Sequence, residues 1–205
     1  VQEIMIKAII FDIGGVLINK SPVLDEILKE FNLEKEEMYD YYLEMLRKHE
    51  IGEINEAKFW ELLKGRFNIT IPIPHPSPLI RRYKQEIRIN LEVLKILQEL
   101  RKSAYKVAAL SNIIPAHVQH LSNLGLLNNF DVKVLSCEAG LLKPNEKIYR
   151  LTLKKLGVES SEAIFIDDDQ SYVRGAEKVG IKSINFNNPK QLKRVVKEFL
   201  NGNLN

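Results

Sequence analysis

The apolar positions change period along the chain. Ile4, Met5, Ile6, Ala8, Ile9, Ile10 and Phe11 form a short, nearly continuous run, the pattern of a strand buried on both faces. Further runs at Lys106 to Leu110, Val132 to Ser136, Ala163 to Ile166 and Lys182 to Phe186 predict four more strands. Between them the period lengthens to that of helices. Leu91, Leu94, Leu97 and Leu100 precede the second run, and His117, His120, Leu121 and Leu124 follow it. Ile148, Leu151, Leu153 and Leu156, then Val173, Ala176 and Val179, continue the alternation. Strands alternating with helices imply βαβ units and a parallel sheet covered on both faces. The predicted class is α/β: a Rossmann-like, doubly wound, mainly parallel sheet core.

Residues 18 to 88 break this alternation, with helical patterns at Val23 to Phe31, Glu34 to Lys48, Asn55 to Phe67 and Leu79 to Ile87, and no convincing strand. Asn55 is placed as an N-cap. Ile71 to Pro78, with a proline at every second position from Pro72, reads as an irregular loop. The expected division is therefore a core of residues 1–17 and 88–205, with residues 18–87 as a small inserted helical cap over the tip of the first strand.

Composition narrows the setting. An apolar fraction of 45% and a charged fraction of 28% are those of a soluble globular protein. The net charge of +3 comes from Lys and Arg interleaved with acids, and Lys190, Lys193, Arg194 and Lys197 read as a solvated face, so neither nucleic acid nor a membrane surface is expected as partner. Cys137 is alone, which excludes an intramolecular disulfide. No apolar stretch approaches the roughly 20 residues of a membrane span. Val1-Gln2-Glu3 begins no signal-like segment, and the expectation is a cytoplasmic protein, monomer or homodimer. Tyr39, Tyr41, Tyr42 and Trp60 in the insert are expected to pack within the chain.

Chemistry concentrates where apolar runs end. Phe11-Asp12-Ile13-Gly14-Gly15-Val16-Leu17 puts a carboxylate at the tip of a buried strand and then turns sharply. In open parallel sheets, ligands gather beyond the carboxyl ends of the strands, so Asp12 is a candidate nucleophile or metal ligand. Ala163-Ile164-Phe165-Ile166-Asp167-Asp168-Asp169 repeats the arrangement with three acids, which repel one another unless a cation sits among them. Oxygen donors so placed suit magnesium; if the two strands are neighbours, Asp12, Asp168 and the Gly14 carbonyl could hold one ion. Asp169, or all three acids, could instead cap the following helix. Ser111-Asn112, at the next strand end with Pro115 in the first turn of a helix, offers a hydroxyl and amides for an anion. Lys143, before Pro144, could neutralise an anion bound over Asp12.

These four segments, in this order, resemble the motifs of the haloacid dehalogenase superfamily of hydrolases: Phe11 to Leu17, Leu110-Ser111-Asn112, Lys143-Pro144 and Phe165-Ile166-Asp167-Asp168. The resemblance covers nearly the whole chain, and the insert is similar to the family's small helical cap. Gly52 to Trp60 is similar to cap segments of the branch of epoxide-hydrolase-associated phosphatase domains and sugar-phosphate phosphatases. The resemblance implies a magnesium-dependent phosphatase of a small phosphorylated metabolite. It makes Asp12 the nucleophile of an aspartyl-phosphate intermediate, Ser111, Asn112 and Lys143 the phosphate-binding groups, and Asp12, the Gly14 backbone, Asp168 and Asp167 the metal site.

One position departs from the pattern. Phosphatases of this family normally carry, at position 14, an aspartate that protonates the leaving alcohol and then activates water, a function worth about 10²–10⁴-fold. Gly14 has no such group. His49, Glu53, Glu56 and His75 are conceivable substitutes, with solvation the expected fate of each; His117 and His120 are expected to pack or face solvent. A scaffold that binds phosphate and magnesium with little turnover is the alternative expectation. A 2-haloacid dehalogenase, which needs neither the acid nor the metal, ranks below both, because Asp167-Asp168 is retained.

Overall fold

The computed structural model describes residues 5–20, 23–31 and 33–200. Strands β1 (Ala8–Phe11), β2 (Lys106–Ser111), β3 (Val132–Leu135), β4 (Ala163–Asp167) and β5 (Lys182–Asn185) form one parallel sheet in the order β3-β2-β1-β4-β5. Each lies where a strand is predicted, with shifted ends. β1 is shorter than its apolar run: Met5 is exposed, Ile6 is half-buried, and Ile4 lies outside the described residues. Ser136 leaves β3 to begin a short helix.

All four residues of β1 are fully buried, and their alternation divides them between two apolar layers. Ala8 and Ile10 join Ala108, Leu110 and Phe165 beneath α8 (Glu146–Leu156) and α9 (Gln170–Lys178). Ile9 and Phe11 join Val107, Ala109, Ile164 and Ile166 against α5 (Leu91–Lys102), α6 (Pro115–Asn123) and α10 (Pro189–Leu200). The chain builds outward from β1 through β2 to β3 and then crosses back to β4 on the other side of β1. The strand order therefore reverses at β1, and such a switch point leaves a crevice at the carboxyl ends of the strands.

Four helices intervene between β1 and α5: α1 (Val23–Phe31), α2 (Lys35–Glu50), α3 (Glu56–Phe67) and α4 (Pro78–Glu86). Asn55 caps α3 as expected, its side chain accepting from the Lys58 amide at 2.9 Å. Several helix ends differ from the sequence pattern by a residue or two. α4 begins at Pro78, whose fixed φ suits a first helical turn, and α2 runs past Lys48 to take in His49 and Glu50. Where the chain enters and leaves this insert it is tied together, Asn90 N donating to Leu17 O at 2.8 Å and Asn19 Nδ2 to Glu86 O at 3.1 Å. Ile27, Met38, Tyr42, Phe59, Leu63 and Leu79 of the insert belong to the same apolar cluster as Ile9 and Phe11. Of the aromatics expected to pack, Tyr42 and Trp60 are buried against Phe59, whereas Tyr39 is exposed. Among the described residues no helix is long and apolar enough to cross a membrane.

Candidate active site

Register alone brings the acidic strand ends together. Phe11 pairs with Ile166, and Asp12 N donates to Ile166 O at 2.9 Å, so Asp12 and Asp167 leave adjacent strands at the same level. Oxygens of Asp12, Asp167 and Asp168 all lie within 4.8 Å of one another. Asp12 and Asp167 are buried. Three carboxylates at this spacing require positive charge.

Lys143 supplies part of it. Its Nζ lies 2.9 Å from Asp12 Oδ1 and 2.6 Å from Asp167 Oδ2, and 4.8 Å from the centre of the Tyr172 ring. Burial by itself would lower this ammonium, but Asp12 and Asp167 outweigh it and push it up to about 12. Burial likewise pushes the Asp12 carboxyl up, against the pull of Lys143. Asp167 is also raised, by burial and then by the charge of Asp12, with Lys143 opposing. The loop carrying Lys143 is held by the Asn112 side chain, which donates to Lys143 O at 3.1 Å and accepts from Lys143 N at 2.9 Å. This structural work of the Asn112 carboxamide is not apparent from the sequence, which pointed only to its backbone amide.

Ser111 ends β2, buried beside Asn112. The turn after it is anchored by Ser136, whose Oγ accepts from Ile113 N at 2.8 Å and donates to Ile113 O at 3.2 Å. The two glycines of the first segment differ. Gly15 has φ +82°, and a Cβ there would fall 2.5 Å from the Asp168 carboxylate, so glycine is what lets Asp168 approach. A Cβ on Gly14 would meet nothing within 4 Å. Packing therefore does not impose the missing side chain at position 14.

The donors fit a hard cation: three carboxylates, of which Asp168 meets a second ammonium, Lys20 Nζ standing 2.5 Å from its Oδ2. Lys20 lies in the insert's first loop and gave no signal in the sequence. Asp169 is not part of this group and caps α9, its Oδ1 accepting from Ser171 N at 2.7 Å. The helix-cap reading is thus right for Asp169 alone.

Above these groups lies a cavity of about 530 Å³. Asp12, Gly14, Ser111, Lys143, Asp168 and Tyr172 line its base, and Leu24, Tyr39, Tyr42, Leu43, Leu46 and Tyr83 line the side built by the insert. Glu50 lines it too. Burial pushes the Glu50 carboxyl up to about 7, with Lys143 and Arg47 pulling it down and Asp12 pushing it further up. None of the four conceivable substitutes lines this cavity, and His49 is not solvated as expected. His49 is buried with Nδ1 3.0 Å from Ile54 O, Glu53 is exposed, and Glu56, which accepts from Ser77 Oγ, shares a separate cavity with His75. His117 reaches the cavity wall but is a packing residue, stacked on Tyr83 at 3.5 Å with Nε2 3.1 Å from Leu79 O. His120 meets the same ring edge-on.

Residues 6–180 match the haloacid dehalogenase-like hydrolase family, and the chain belongs to it. Its sequence is similar to a glyceraldehyde 3-phosphate phosphatase of Methanopyrus kandleri, 26% identical over 197 residues that cover 88% of this chain and 83% of that protein. A drimenol cyclase of Aspergillus calidoustus is 24% identical over 93% of this chain, which spans only 36% of that longer protein. In structure it is similar to a haloacid dehalogenase family enzyme of Bacteroides thetaiotaomicron, with a TM-score of 0.80, 22% identity and coverage of 94% and 98% of the two chains. That enzyme has also been solved with magnesium and inorganic phosphate, in a form covering 89% of this chain and 94% of its own at 23% identity and a TM-score of 0.76.

Proposed function

We propose that this hydrolase is a magnesium-dependent phosphatase acting on a small phosphorylated metabolite through an aspartyl-phosphate on Asp12. The observation that carries the reading is the Lys143 ammonium bridging Asp12 and Asp167 beside Asp168, at the base of a cavity roofed by the insert. The phosphatase of Methanopyrus kandleri and the magnesium and phosphate bound by the Bacteroides thetaiotaomicron enzyme support the same chemistry.

Asp12 attacks phosphorus, and Lys143 opposes the effect of burial on its carboxylate and offsets the charge of the incoming phosphoryl oxygens. Ser111 and the Asn112 amide bind those oxygens at the end of β2. Asp12, Asp168 and the Gly14 carbonyl, with Asp167, would hold the magnesium ion, which would supply further charge neutralisation to the phosphoryl group. Helices α1–α4 act as a cap, and their Tyr and Leu side chains exclude water from the leaving-group side of the cavity. The acidic pair at Asp167-Asp168 favours phosphoryl transfer over carbon–halogen hydrolysis.

With p-nitrophenyl phosphate and magnesium, wild-type protein is expected to release phosphate, and Asp12→Asn to lose more than about 10⁴-fold of that activity. Equal activity in the two proteins refutes the reading. Chloride release from a 2-chloro acid without metal would replace it with dehalogenation.

A further inference from the structure

Glu50 is the last residue of α2, and three features of its placement are unfavourable to a carboxylate. It sits at the negative end of a helix, where acids are disfavoured. Its surroundings are largely desolvated, and among the described residues no hydrogen bond contributes to its ionisation. It also faces a cavity that already holds the Asp12 and Asp168 carboxylates. Groups that break local stability rules together are found at functional sites.

The placement is built in. The chain after α2 turns at Gly52, with φ +73°, and a Cβ on that glycine would lie 3.1 Å from the Cys137 carbonyl of α7 (Ser136–Ala139). α2 thus ends pressed against the element that follows β3. His49 locks the turn from inside through Nδ1 and Ile54 O. The charged and titratable groups that face Glu50 are Arg47 and Tyr42 of its own helix, Cys137 of α7, Lys143 of the following loop, Tyr172 of α9 and Asp12 after β1. A carboxylate from the insert thus lines the same cavity as Gly14, where a Cβ would meet nothing within 4 Å.

We propose that Glu50 is the general acid and base of this enzyme, supplying from the insert the proton transfers that Gly14 cannot. This rests on the phosphatase reading above. In the first step the protonated Glu50 carboxyl gives its proton to the leaving oxygen as the phosphorus–oxygen ester bond breaks and an Asp12 oxygen bonds to phosphorus. The alcohol departs, leaving Asp12 phosphorylated and Glu50 ionised. In the second step Glu50 takes a proton from water as the water oxygen bonds to phosphorus and the acyl-phosphate bond breaks. Inorganic phosphate leaves, with Asp12 ionised and Glu50 protonated as at the start. A carboxyl raised to about 7 by burial carries its proton at neutral pH and can also accept one.

The test compares wild type, Glu50→Gln, Gly14→Asp and the double variant on p-nitrophenyl phosphate and n-butyl phosphate with magnesium, read as kcat/KM, which reports leaving-group departure. Glu50→Gln is expected to lose about 10²-fold or more on the butyl ester and less than about fivefold on the aryl ester, whose leaving group needs no proton. Gly14→Asp, whose Cβ would meet nothing within 4 Å, is expected to restore butyl ester turnover in the double variant. The fall in wild-type butyl ester turnover as pH rises through about 7 should vanish in Glu50→Gln. In metal-free wild-type protein, a glutamate carboxyl ¹³C resonance absent from Glu50→Gln should titrate near 7, whatever the variants do in catalysis. Equal losses on both esters, no restoration by Gly14→Asp, or titration of Glu50 at ordinary glutamate pH overturns the proposal. If wild type and Asp12→Asn hydrolyse the aryl ester alike, the phosphatase reading fails and this proposal with it; if only the butyl ester pattern fails, the phosphatase reading stands.

Discussion

The base and the roof of the cavity place carboxylates by opposite means. At the base, Asp12 and Asp167 sit at the ends of paired strands, fixed by sheet register and compensated by Lys143 within 2.9 Å and 2.6 Å. At the roof, Glu50 hangs from the end of a helix, positioned by one turn at Gly52 and with its charge uncompensated by any hydrogen bond. Burial raises the carboxyls of both regions; at the base an ammonium in direct contact opposes it, whereas at the roof Lys143 and Arg47 oppose it without a hydrogen bond. A nucleophile must be ionised, whereas a general acid must hold a proton at working pH.

Removing the compensation at the base has the largest expected effect. Lys143→Met leaves Asp12 and Asp167 buried together without a cation, and losing one partner of a buried pair destabilises by about 3–5 kcal/mol. The variant is expected to unfold at lower urea concentration and to lose aryl phosphate hydrolysis to background. Retained activity in a stably folded Lys143→Met would show that the base does not depend on its ammonium.

Gly15→Ala is the next largest. Alanine at φ +82° is strained, and its methyl would collide with the Asp168 carboxylate at 2.5 Å. Asp168 must move, so the variant should need a higher magnesium concentration for half-maximal activity, with a stability loss of about 1–3 kcal/mol. The magnesium dependence of phosphate release checks this. An unchanged dependence would mean that Asp168 is not a ligand.

The contrast between base and roof also explains what the sequence disclosed. Asp12, Ser111, Lys143 and Asp168 were legible because each follows a short apolar run or precedes a helix, and a parallel sheet gathers strand ends at one edge wherever its strands pair. The alternation after Asn90 likewise predicted β2 to β5 to within a residue or so at each end. Glu50 was not legible. The apolar pattern of α2 stops before its last turn, so the helix was expected to end at Lys48, and nothing local signals that Gly52 packs on Cys137. The Lys20 contact with Asp168 is equally a product of tertiary placement, since Lys20 is mostly exposed and ordinary in its own segment.

The smallest effect is the most discriminating, because it separates the roles of the two regions in stability. Glu50 moves from its ordinary value of 4.5 to about 7 on folding, so the folded protein binds the proton more tightly than the unfolded chain. Its contribution favours the fold fully below about 4.5 and is lost as pH rises through about 7. Glu50→Gln cannot ionise, so its stability relative to wild type should rise across that interval, by up to about 3 kcal/mol at pH 8. Urea unfolding of both proteins at pH 5 and pH 8 measures the difference directly, and the ionisations of Asp12 and Asp167, common to both, largely cancel. A variant that is more stable than wild type at pH 8 yet slower on alkyl phosphates is the result expected of a group kept for chemistry at the expense of the fold. A Glu50→Gln protein less stable at pH 8 than at pH 5, relative to wild type, would instead show that favourable charge outweighs burial at the Glu50 carboxylate, and the distinction between base and roof would be lost.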